Sequence, residues 1–262
     1  MKLSLIQITV GSDYQENLKK SKNFLTESLN YSPDFILFPE CFLFLSNKNQ
    51  ISFEMNHDVI LFFQEFAKKS NVNLLLGSLQ IKENDKLYNR SIVINSNGNI
   101  ISQYDKIHMF DIVLKNNEIY KESDTYTPGR ELKTFRLNNI SMGHSICYDL
   151  RFPKLYRNLA KKGSKVIVIP SAFTYTTGCA HWHTLVRARA IENGVYIVAP
   201  NQWGINNERR STYGHSMVVN PWGEIIAEAE DSETILNCEI DISKVEDNQR
   251  SIPVLEHEVD FL

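Results

Sequence analysis

The chain has 262 residues, of which 42% are hydrophobic and 23% are charged, and its formal net charge is -3. This balance is that of a globular protein, and without a long basic block it argues against nucleic acid or an anionic membrane as a partner. No apolar run approaches the length of a membrane span. The four cysteines are far apart, without a disulfide or zinc-site pattern, so we expect a reducing, cytosolic compartment.

Strand-like and helix-like segments alternate in the first half of the chain. Residues 3–9 alternate apolar and polar side chains, which predicts a first β-strand rather than a signal peptide. The following segments predict a helix over 14–29, a strand over 35–38, a helix over 59–69 and strands over 74–81 and 91–95. The pair Asn97-Gly98 then predicts a hairpin into a strand over 100–104.

The second half continues this alternation. Its predicted elements are strands over 140–147 and 165–169, helices over 153–162 and 180–193, and strands over 195–199, 215–220, 225–229 and 234–240. Short apolar strands between amphipathic helices predict an α/β fold with sheets covered by helices, and the lack of a linker predicts a single domain over 1–262. The weakly patterned tail over 241–262 is a candidate for crossing to a partner subunit.

Cys147 ends a predicted apolar strand and begins a polar turn into the next helix. Such a turn holds the sulfur at a sheet edge, and the amides that open a helix carry partial positive charge. That charge favours a thiolate and can hold an oxyanion. Cys147 is therefore a candidate nucleophile, with a buried structural thiol as the alternative.

Three further charged residues lie at strand ends or in turns. Glu40 follows an apolar strand among bulky apolar residues, where burial would raise its pKa and make it a candidate general base. Lys106 lies between aromatic and aliphatic residues and could stabilise an oxyanion. Glu122 lies in a turn-rich loop. Each has an ordinary alternative when taken alone: a strand-end cap, a surface lysine and a solvated loop.

A histidine is the more familiar partner of a catalytic cysteine. The candidates are His108, His144, His181, His183 and His215. His144 lies on the same predicted strand as Cys147 at an odd separation, so its side chain is expected on the opposite face. The residues alone leave open whether the base is Glu40 or a histidine such as His108 or His215.

Three motifs follow one another along the chain: Phe38-Pro39-Glu40, Asp105-Lys106-Ile107-His108 and the run from Cys147 to Pro153. With these motifs in this order, the chain resembles the nitrilase, or carbon-nitrogen hydrolase, superfamily over nearly its whole length. The resemblance implies a four-layer α-β-β-α sandwich that forms a homodimer with sheets continuing across the interface. It also implies that no metal or organic cofactor is needed.

The resemblance further implies a catalytic triad of Glu40, Lys106 and Cys147. Glu122 matches a second glutamate that orients the lysine. In the implied mechanism, Glu40 takes the thiol proton and Cys147 attacks an amide carbonyl. Lys106 and the backbone N–H of Tyr148 hold the oxyanion. Ammonia then leaves, and water activated by Glu40 hydrolyses the thioester to an acid.

Later segments are similar to one branch of the superfamily, that of the deaminated-glutathione amidases and omega-amidases. Its substrates are small amides with an α-keto acid carboxylate, and a carboxylate needs a cation. Arg151, four residues after Cys147, offers a bidentate guanidinium for that purpose. Phe173 and Thr177 match substrate-binding positions of the branch. The segment from Pro200 to Arg210 is closer to the deaminated-glutathione type.

Two positions depart from this branch. Cys179 stands where the branch usually has a small residue or proline, and His183 stands where it usually has glutamate. The substrate range is therefore open, and carbamoylase or nitrilase activity stays possible within the family. Two readings from other classes also stay open: an interaction module that kept the fold without catalysis, and a cysteine hydrolase that uses histidine.

Overall fold

The computed structural model describes residues 1–46, 50–113 and 119–259. The helices in these ranges are α1 (Tyr14–Ser28), α2 (Asp58–Ser70), α3 (Pro153–Lys161), α4 (Tyr175–Asn193) and α5 (Ser243–Ser251). None of the described helices is both long enough and apolar enough to cross a membrane.

The first large sheet consists of β1 (Lys2–Gln7), β2 (Phe35–Leu37), β3 (Asn73–Glu83), β4 (Lys86–Ile94), β5 (Ile100–Asp105) and β16 (Thr234–Glu239). Their spatial order is β16-β1-β2-β3-β4-β5. Strands β1, β2 and β3 are parallel, whereas β16, β4 and β5 pair antiparallel to their neighbours. The predicted Asn97-Gly98 hairpin joins β4 to β5, and Gly98 has a φ of 81°.

The second large sheet consists of β8 (Thr134–Leu137), β9 (Ile140–His144), β10 (Val166–Val168), β11 (Tyr196–Ala199), β14 (Met217–Val219) and β15 (Ile225–Glu228). Their spatial order is β15-β14-β11-β10-β9-β8, with β9, β10 and β11 parallel. Two short hairpins complete the described strands: β6 (Asp111–Val113) with β7 (Ile119–Lys121), and β12 (Trp203–Asn207) with β13 (Arg210–Tyr213).

The two large sheets pack face to face because alternate side chains of their strands point to opposite sides. Val166 and Val168 of β10 are buried between the sheets together with Leu3 and Leu5 of β1. Ile167 points the other way, toward the helices. This period of two gives both faces of each strand an apolar surface, which is typical of sheets covered on both sides.

Helices cover the outer face of each sheet. In the first sheet, Ile36 packs with Leu25 of α1 and Phe63 of α2. In the second sheet, Ile167 packs with residues of α3 and α4, among them Trp182. The predicted four-layer α-β-β-α arrangement is therefore present.

The element boundaries differ from the predicted ones where backbone geometry overrides the apolar pattern. Helix α4 begins at Tyr175 rather than at 180, since Gly178 and neighbouring polar residues hide its first turn in the sequence. Strand β9 ends at His144 rather than at Cys147, whose left-handed φ of 43° is incompatible with a strand. Helix α5 was hidden because Val245 is its one buried residue, which leaves no periodic apolar face.

Replacing Leu5, which is fully buried between the sheets, tests this packing. We expect Leu5→Ala to lower the free energy of unfolding by about 2–5 kcal/mol, because it removes buried surface and leaves a cavity. Leu61 of α2 is 49% exposed and provides the matched control, for which we expect a change within about 0.5 kcal/mol. Urea unfolding measures both variants, and equal losses would contradict the assigned sandwich core.

Candidate active site

Functional side chains from both sheets meet at one end of the sandwich. Glu40 follows β2 and Lys106 follows β5 in the first sheet, while Cys147 follows β9 in the second. Strands β2 and β9 each belong to a parallel set, and the carboxyl ends of parallel strands are where open α/β sheets place their sites. Glu122, which begins a short 3-10 helix after β7, joins the group.

The Glu40 carboxylate is buried, and both of its oxygens accept hydrogen bonds. Oε1 accepts from Lys106 Nζ at 2.8 Å and from Asn89 Nδ2 at 2.9 Å. Oε2 accepts from the backbone N–H of Ala172 at 2.9 Å. Burial by itself raises the pKa of Glu40, but the charge and hydrogen bond of Lys106 and a hydrogen bond from Cys147 outweigh it. The pKa is lowered, so the prediction of a raised pKa is wrong.

The backbone that carries Glu40 runs against a glycine of β3. A Cβ atom at Gly77 would lie 2.1 Å from the carbonyl oxygen of Phe38 and 2.2 Å from that of Pro39. Only glycine therefore lets the chain before Glu40 approach β3 so closely. Cys41, the next residue, has a φ of 51°. The close packing of this backbone against Gly77 therefore fixes the position of the Glu40 carboxylate.

Lys106 is 2% exposed, and its ammonium group has an acceptor for each of its three protons. Besides Glu40 Oε1, Nζ donates to Glu122 Oε1 at 3.0 Å and to Glu122 Oε2 at 2.8 Å. Burial lowers the pKa of Lys106, whereas the carboxylates of Glu122 and Glu40 raise it, and the result lies well above its usual value. The lysine is therefore a fixed positive charge in the site.

Asn89, which is not among the predicted site residues, links the two carboxylates. It lies on β4 and is 2% exposed. Its Nδ2 donates to Glu40 Oε1 at 2.9 Å and to Glu122 Oε1 at 3.1 Å. An amide group with two protons can make both bonds at once. The only sign in the sequence is a polar residue inside a strand, which has too many ordinary explanations to be singled out.

Cys147 occupies a strained position at the start of the 3-10 helix Cys147–Arg151. It is 8% exposed, and its φ of 43° lies in the left-handed region that non-glycine residues avoid. Such strain persists where the surroundings determine the conformation, and it is common at functional sites. The backbone N–H donates to the carbonyl of Pro170 at 3.0 Å, which holds the turn against the chain after β10.

The environment of the Cys147 sulfur favours the thiol over the thiolate. Burial and the neighbouring Glu40 carboxylate raise its pKa, and the opposing effect of Lys106 is smaller, so the pKa lies well above its usual value. Backbone donors act in the predicted direction, but burial and Glu40 outweigh them in the resting site. The Glu40 carboxylate, whose pKa is lowered by its interaction with the thiol, is the neighbouring group that can accept the proton.

Backbone amides next to the sulfur can receive an oxyanion. The N–H of Tyr148 lies in the first turn of the 3-10 helix, where amides have no acceptor within their own helix. The N–H of Ala172 donates to Glu40 Oε2 and also lowers the pKa of the Cys147 thiol. The predicted donor at Tyr148 thus has a suitable backbone position beside the nucleophile.

The histidines that were candidate bases are bound to other groups. Their partners are Asp149 for His108 (Nδ1 to Oδ1, 2.6 Å) and Glu228 for His215 (Nδ1 to Oε1, 2.7 Å). His144 is buried, and burial lowers its pKa to about 3. Glu40 is the carboxylate whose interaction with the Cys147 thiol lowers its own pKa and raises that of the thiol.

The residues predicted to bind substrate take up different positions. Phe173 and Thr177 line the same cavity as Cys147. The Arg151 guanidinium packs on the rings of Tyr148 and Phe173, with its centre 5.9 and 5.3 Å from their centroids, and its Nη atoms lie 3.3 and 3.4 Å from His181 Nδ1. Arg151 is not among the described residues that line the cavity.

A second arginine, Arg210, does line the cavity. Its Nη2 donates to the carbonyl of Ala172 at 2.9 Å, and its guanidinium lies over the ring of Tyr120 at 5.6 Å. Its charge contributes to the lowered pKa of Glu40, and its buried Nε has no hydrogen-bond partner among the described residues. Arg210 is not a predicted site residue, because the β12–β13 hairpin that brings it to the cavity has no clear signal in the sequence.

The reactive groups line one large cavity. Its volume is about 1220 Å³. This exceeds the range of about 300–1,000 Å³ that is usual for small-molecule sites. The cavity brings together Glu40, Lys106, Glu122, Cys147, Tyr148, Phe173, Thr177 and Arg210.

The family described as "Carbon-nitrogen hydrolase" matches residues 2–250 of the chain. Because the match spans most of the sequence, the chain belongs to the carbon-nitrogen hydrolase family. The predicted family is confirmed, and with it the class of enzyme, a hydrolase of carbon-nitrogen bonds.

Individual relatives are similar over nearly the whole chain. A deaminated glutathione amidase of Dictyostelium discoideum is 34% identical over 98% of this chain and 93% of its own. Omega-amidase NIT2 of Homo sapiens is 34% identical over 97% of this chain and 93% of its own. The crystal structure of Saccharomyces cerevisiae Nit3, a member of branch 10 of the nitrilase superfamily, has a TM-score of 0.87 at 30% identity over 97% of this chain and 94% of that one. The predicted fold is confirmed.

The pH dependence of kcat/KM distinguishes Glu40 from a histidine as the base. Lys106 holds Glu40 in its charged form, so we expect kcat/KM to fall on the acid side only below the usual glutamate pKa of 4.5. A profile of amide hydrolysis against pH measures this limb. An acid limb near the ordinary histidine value of about 6.5 would contradict the assignment of Glu40.

Proposed function

We propose that this chain is an amidase in which Cys147 forms a thioester with the acyl part of a small amide. The observation that carries the proposal is that Glu40 contacts both the Cys147 thiol and the Lys106 ammonium in one buried site. Nucleophile, base and cation are the three roles that acyl transfer requires. The relatives named as amidases support the same reaction class.

In the first half-reaction, Glu40 accepts the thiol proton while the sulfur attacks the amide carbonyl. The oxyanion that forms faces Lys106 and the backbone N–H of Tyr148. Because Lys106 is already held by two carboxylates, its charge is in place before the reaction begins. The carbon-nitrogen bond then breaks, Glu40 returns the proton to the leaving nitrogen, and a thioester remains.

In the second half-reaction, water attacks the thioester carbonyl while Glu40 accepts a proton from it. The carbon-sulfur bond breaks, the proton passes from Glu40 to the sulfur, and the acid is released. Every proton is moved by one carboxylate, and the chemistry of both steps uses only side chains and backbone amides of the site. Glu122 and Asn89 act as positioning residues for Lys106 and Glu40.

We further propose that the substrate carries a carboxylate and that Arg210 is its main anchor. Arg210 lines the cavity, and a guanidinium can bind a carboxylate through two parallel hydrogen bonds. Arg151 is the alternative anchor, since it packs on Phe173, which lines the cavity. Phe173 and Thr177 would then contact the body of the substrate.

Two relatives suggest two substrate types. Deaminated glutathione is a 2-oxo acid joined through an amide to cysteinylglycine, so its hydrolysis releases that dipeptide. Ammonia, the predicted product, is released only from primary amides such as the alpha-ketoglutaramate and alpha-ketosuccinamate expected for an omega-amidase. We propose the deaminated-glutathione type first, because the segment from Pro200 to Arg210 is closer to that type, and a cavity of about 1220 Å³ has room for the dipeptide.

We also propose a single-domain, cytosolic protein that forms a homodimer. Ile191 of α4 and Trp222 are 50% and 60% exposed, and Ile191 lies against the adjoining Gly223. Neighbouring exposed apolar side chains support a contact surface there.

In the tail, Glu258 pairs with Lys161 of its own α3 at 2.7 Å. Crossing of the tail to a partner subunit stays a prediction.

The activity test compares amides with and without a carboxylate. We expect the purified protein to release cysteinylglycine from deaminated glutathione, and Cys147→Ala to abolish this release. Arg210→Gln should lower kcat/KM for the carboxylate-bearing substrate by about ten- to a hundred-fold, since it removes charge-assisted hydrogen bonds. A neutral amide of similar size should lose little. Chromatography of the amine product and an ammonia assay measure both kinds of substrate.

Arg151→Gln is the matched control. A selective loss in Arg151→Gln alone would assign the anchor to Arg151, and equal losses on charged and neutral amides would contradict either anchor. Release of no product from any small amide would favour an interaction module without catalysis. If His108→Ala or His215→Ala stops acylation and Glu40→Gln does not, the base is a histidine.

A further inference from the structure

Three side chains with metal-binding atoms converge between α4 and the edge of the second sheet. Glu228 Oε1 lies 2.7 Å from His183 Nε2 and 2.7 Å from His215 Nδ1. One ligand atom from each of the three residues lies within 4.8 Å of the others. None of the three is among the described residues that line the catalytic cavity, so this cluster is a separate feature.

The cluster rests on firmly held parts of the fold. His183 lies inside α4, Glu228 ends β15, and His215 lies just before β14 with a left-handed φ of 52°. Trp182 Nε1 donates to the backbone carbonyl of His215 at 2.8 Å and thereby holds this turn against α4. The Tyr213 ring stacks on the His215 imidazole with centroids 4.4 Å apart. Strained backbone of this kind persists only where its surroundings determine it.

The atoms that face one another indicate what the cluster is suited to bind. Without a metal ion, Glu228 Oε1 accepts two hydrogen bonds only if both of the imidazole nitrogens that face it carry a proton. His215 Nε2 also lies 3.3 Å from Asp231 Oδ1. With a cation at the centre, both facing nitrogens can offer it lone pairs, while the other nitrogen of His215 faces Asp231. A carboxylate behind a ligating histidine is the usual arrangement around protein-bound metals.

The ligand types and spacing select the class of metal. Two imidazoles and one carboxylate suit zinc and similar divalent transition-metal ions, with water in the remaining position. Metal–ligand bonds of about 2.0–2.2 Å in a tetrahedral site place the ligand atoms about 3.3–3.6 Å apart. The two contacts of 2.7 Å to Glu228 would therefore need to open by less than about 1 Å.

We propose that His183, His215 and Glu228 bind one zinc-class divalent ion, with Asp231 orienting His215. The ion joins α4 to β14 and β15 and stabilises this side of the domain. Helix α4 also carries Thr177, which lines the catalytic cavity, so the ion supports one wall of that cavity from outside. The site is independent of the proposed amidase reaction.

Zinc content and thermal stability test this site in the full chain. Cys147→Ala serves as the parent, because the thiol of the catalytic site could bind zinc by itself. After equilibrium dialysis against Zn²⁺, we expect one zinc per chain by elemental mass spectrometry and a higher Tm than in metal-free buffer. His183→Gln should weaken binding at least ten-fold and remove the rise in Tm. Asp231→Asn should weaken binding about ten-fold.

Two further variants control for other zinc ligands. His181→Gln changes a histidine of the same helix that faces Arg151, and we expect it to bind zinc like the parent. Cys179→Ser removes the exposed thiol one turn before His183 and should also leave binding intact. Failure to retain stoichiometric zinc, equal binding by His183→Gln, or loss in Cys179→Ser without loss in His183→Gln would each overturn the proposal. Glu228→Gln, expected to match His183→Gln, repeats the test on a strand residue.

Discussion

The ammonium group of Lys106, held between Glu40 and Glu122, is the interaction on which the candidate active site depends. Removing an ion from water costs several kcal/mol, and partners restore that energy only when hydrogen bonds are complete. All three lysine protons have carboxylate acceptors, and Asn89 joins the two carboxylates to each other. Loss of Lys106 would leave two neighbouring carboxylates without their shared cation, so the charges, the backbone that carries them and the packing around them form one unit.

Glu40 also connects the two sheets chemically. It follows a strand of the first sheet, yet it accepts a hydrogen bond from Ala172 and contacts Cys147, both of which follow strands of the second. Its backbone carbonyl accepts from Gln202 Nε2 at 2.7 Å. The distance between base and nucleophile is therefore set by the core between the sheets. Lys106 favours the charged carboxylate while burial favours the protonated sulfur, and the proton can pass from the sulfur to the carboxylate as the sulfur attacks a substrate carbonyl.

Some features of this structure can be predicted from the sequence more readily than others. Alternating apolar residues such as Val166, Ile167 and Val168 predict a strand covered on both faces, because their period is local. The motifs around Glu40, Lys106 and Cys147 predict the family. The direction of the Glu40 pKa shift is predicted wrongly, since burial is visible in its apolar neighbours and the ammonium 66 residues away is not. Asn89 and Arg210 reach the site through strand pairing that has no local sign.

The sequence by itself determined the alternation of strands and helices, the family motifs and which residues could serve as nucleophile, base and cation. These follow from side-chain chemistry and short-range periodicity, which neighbouring residues encode. Only the tertiary structure decided that Arg210 lines the cavity, which groups share the hydrogen bonds of the site and which histidines meet Glu228, at separations of 45 and 13 residues. Hydrogen bonds and charge effects depend on distances of a few ångströms, and those distances exist only once both sheets and their helices are packed together.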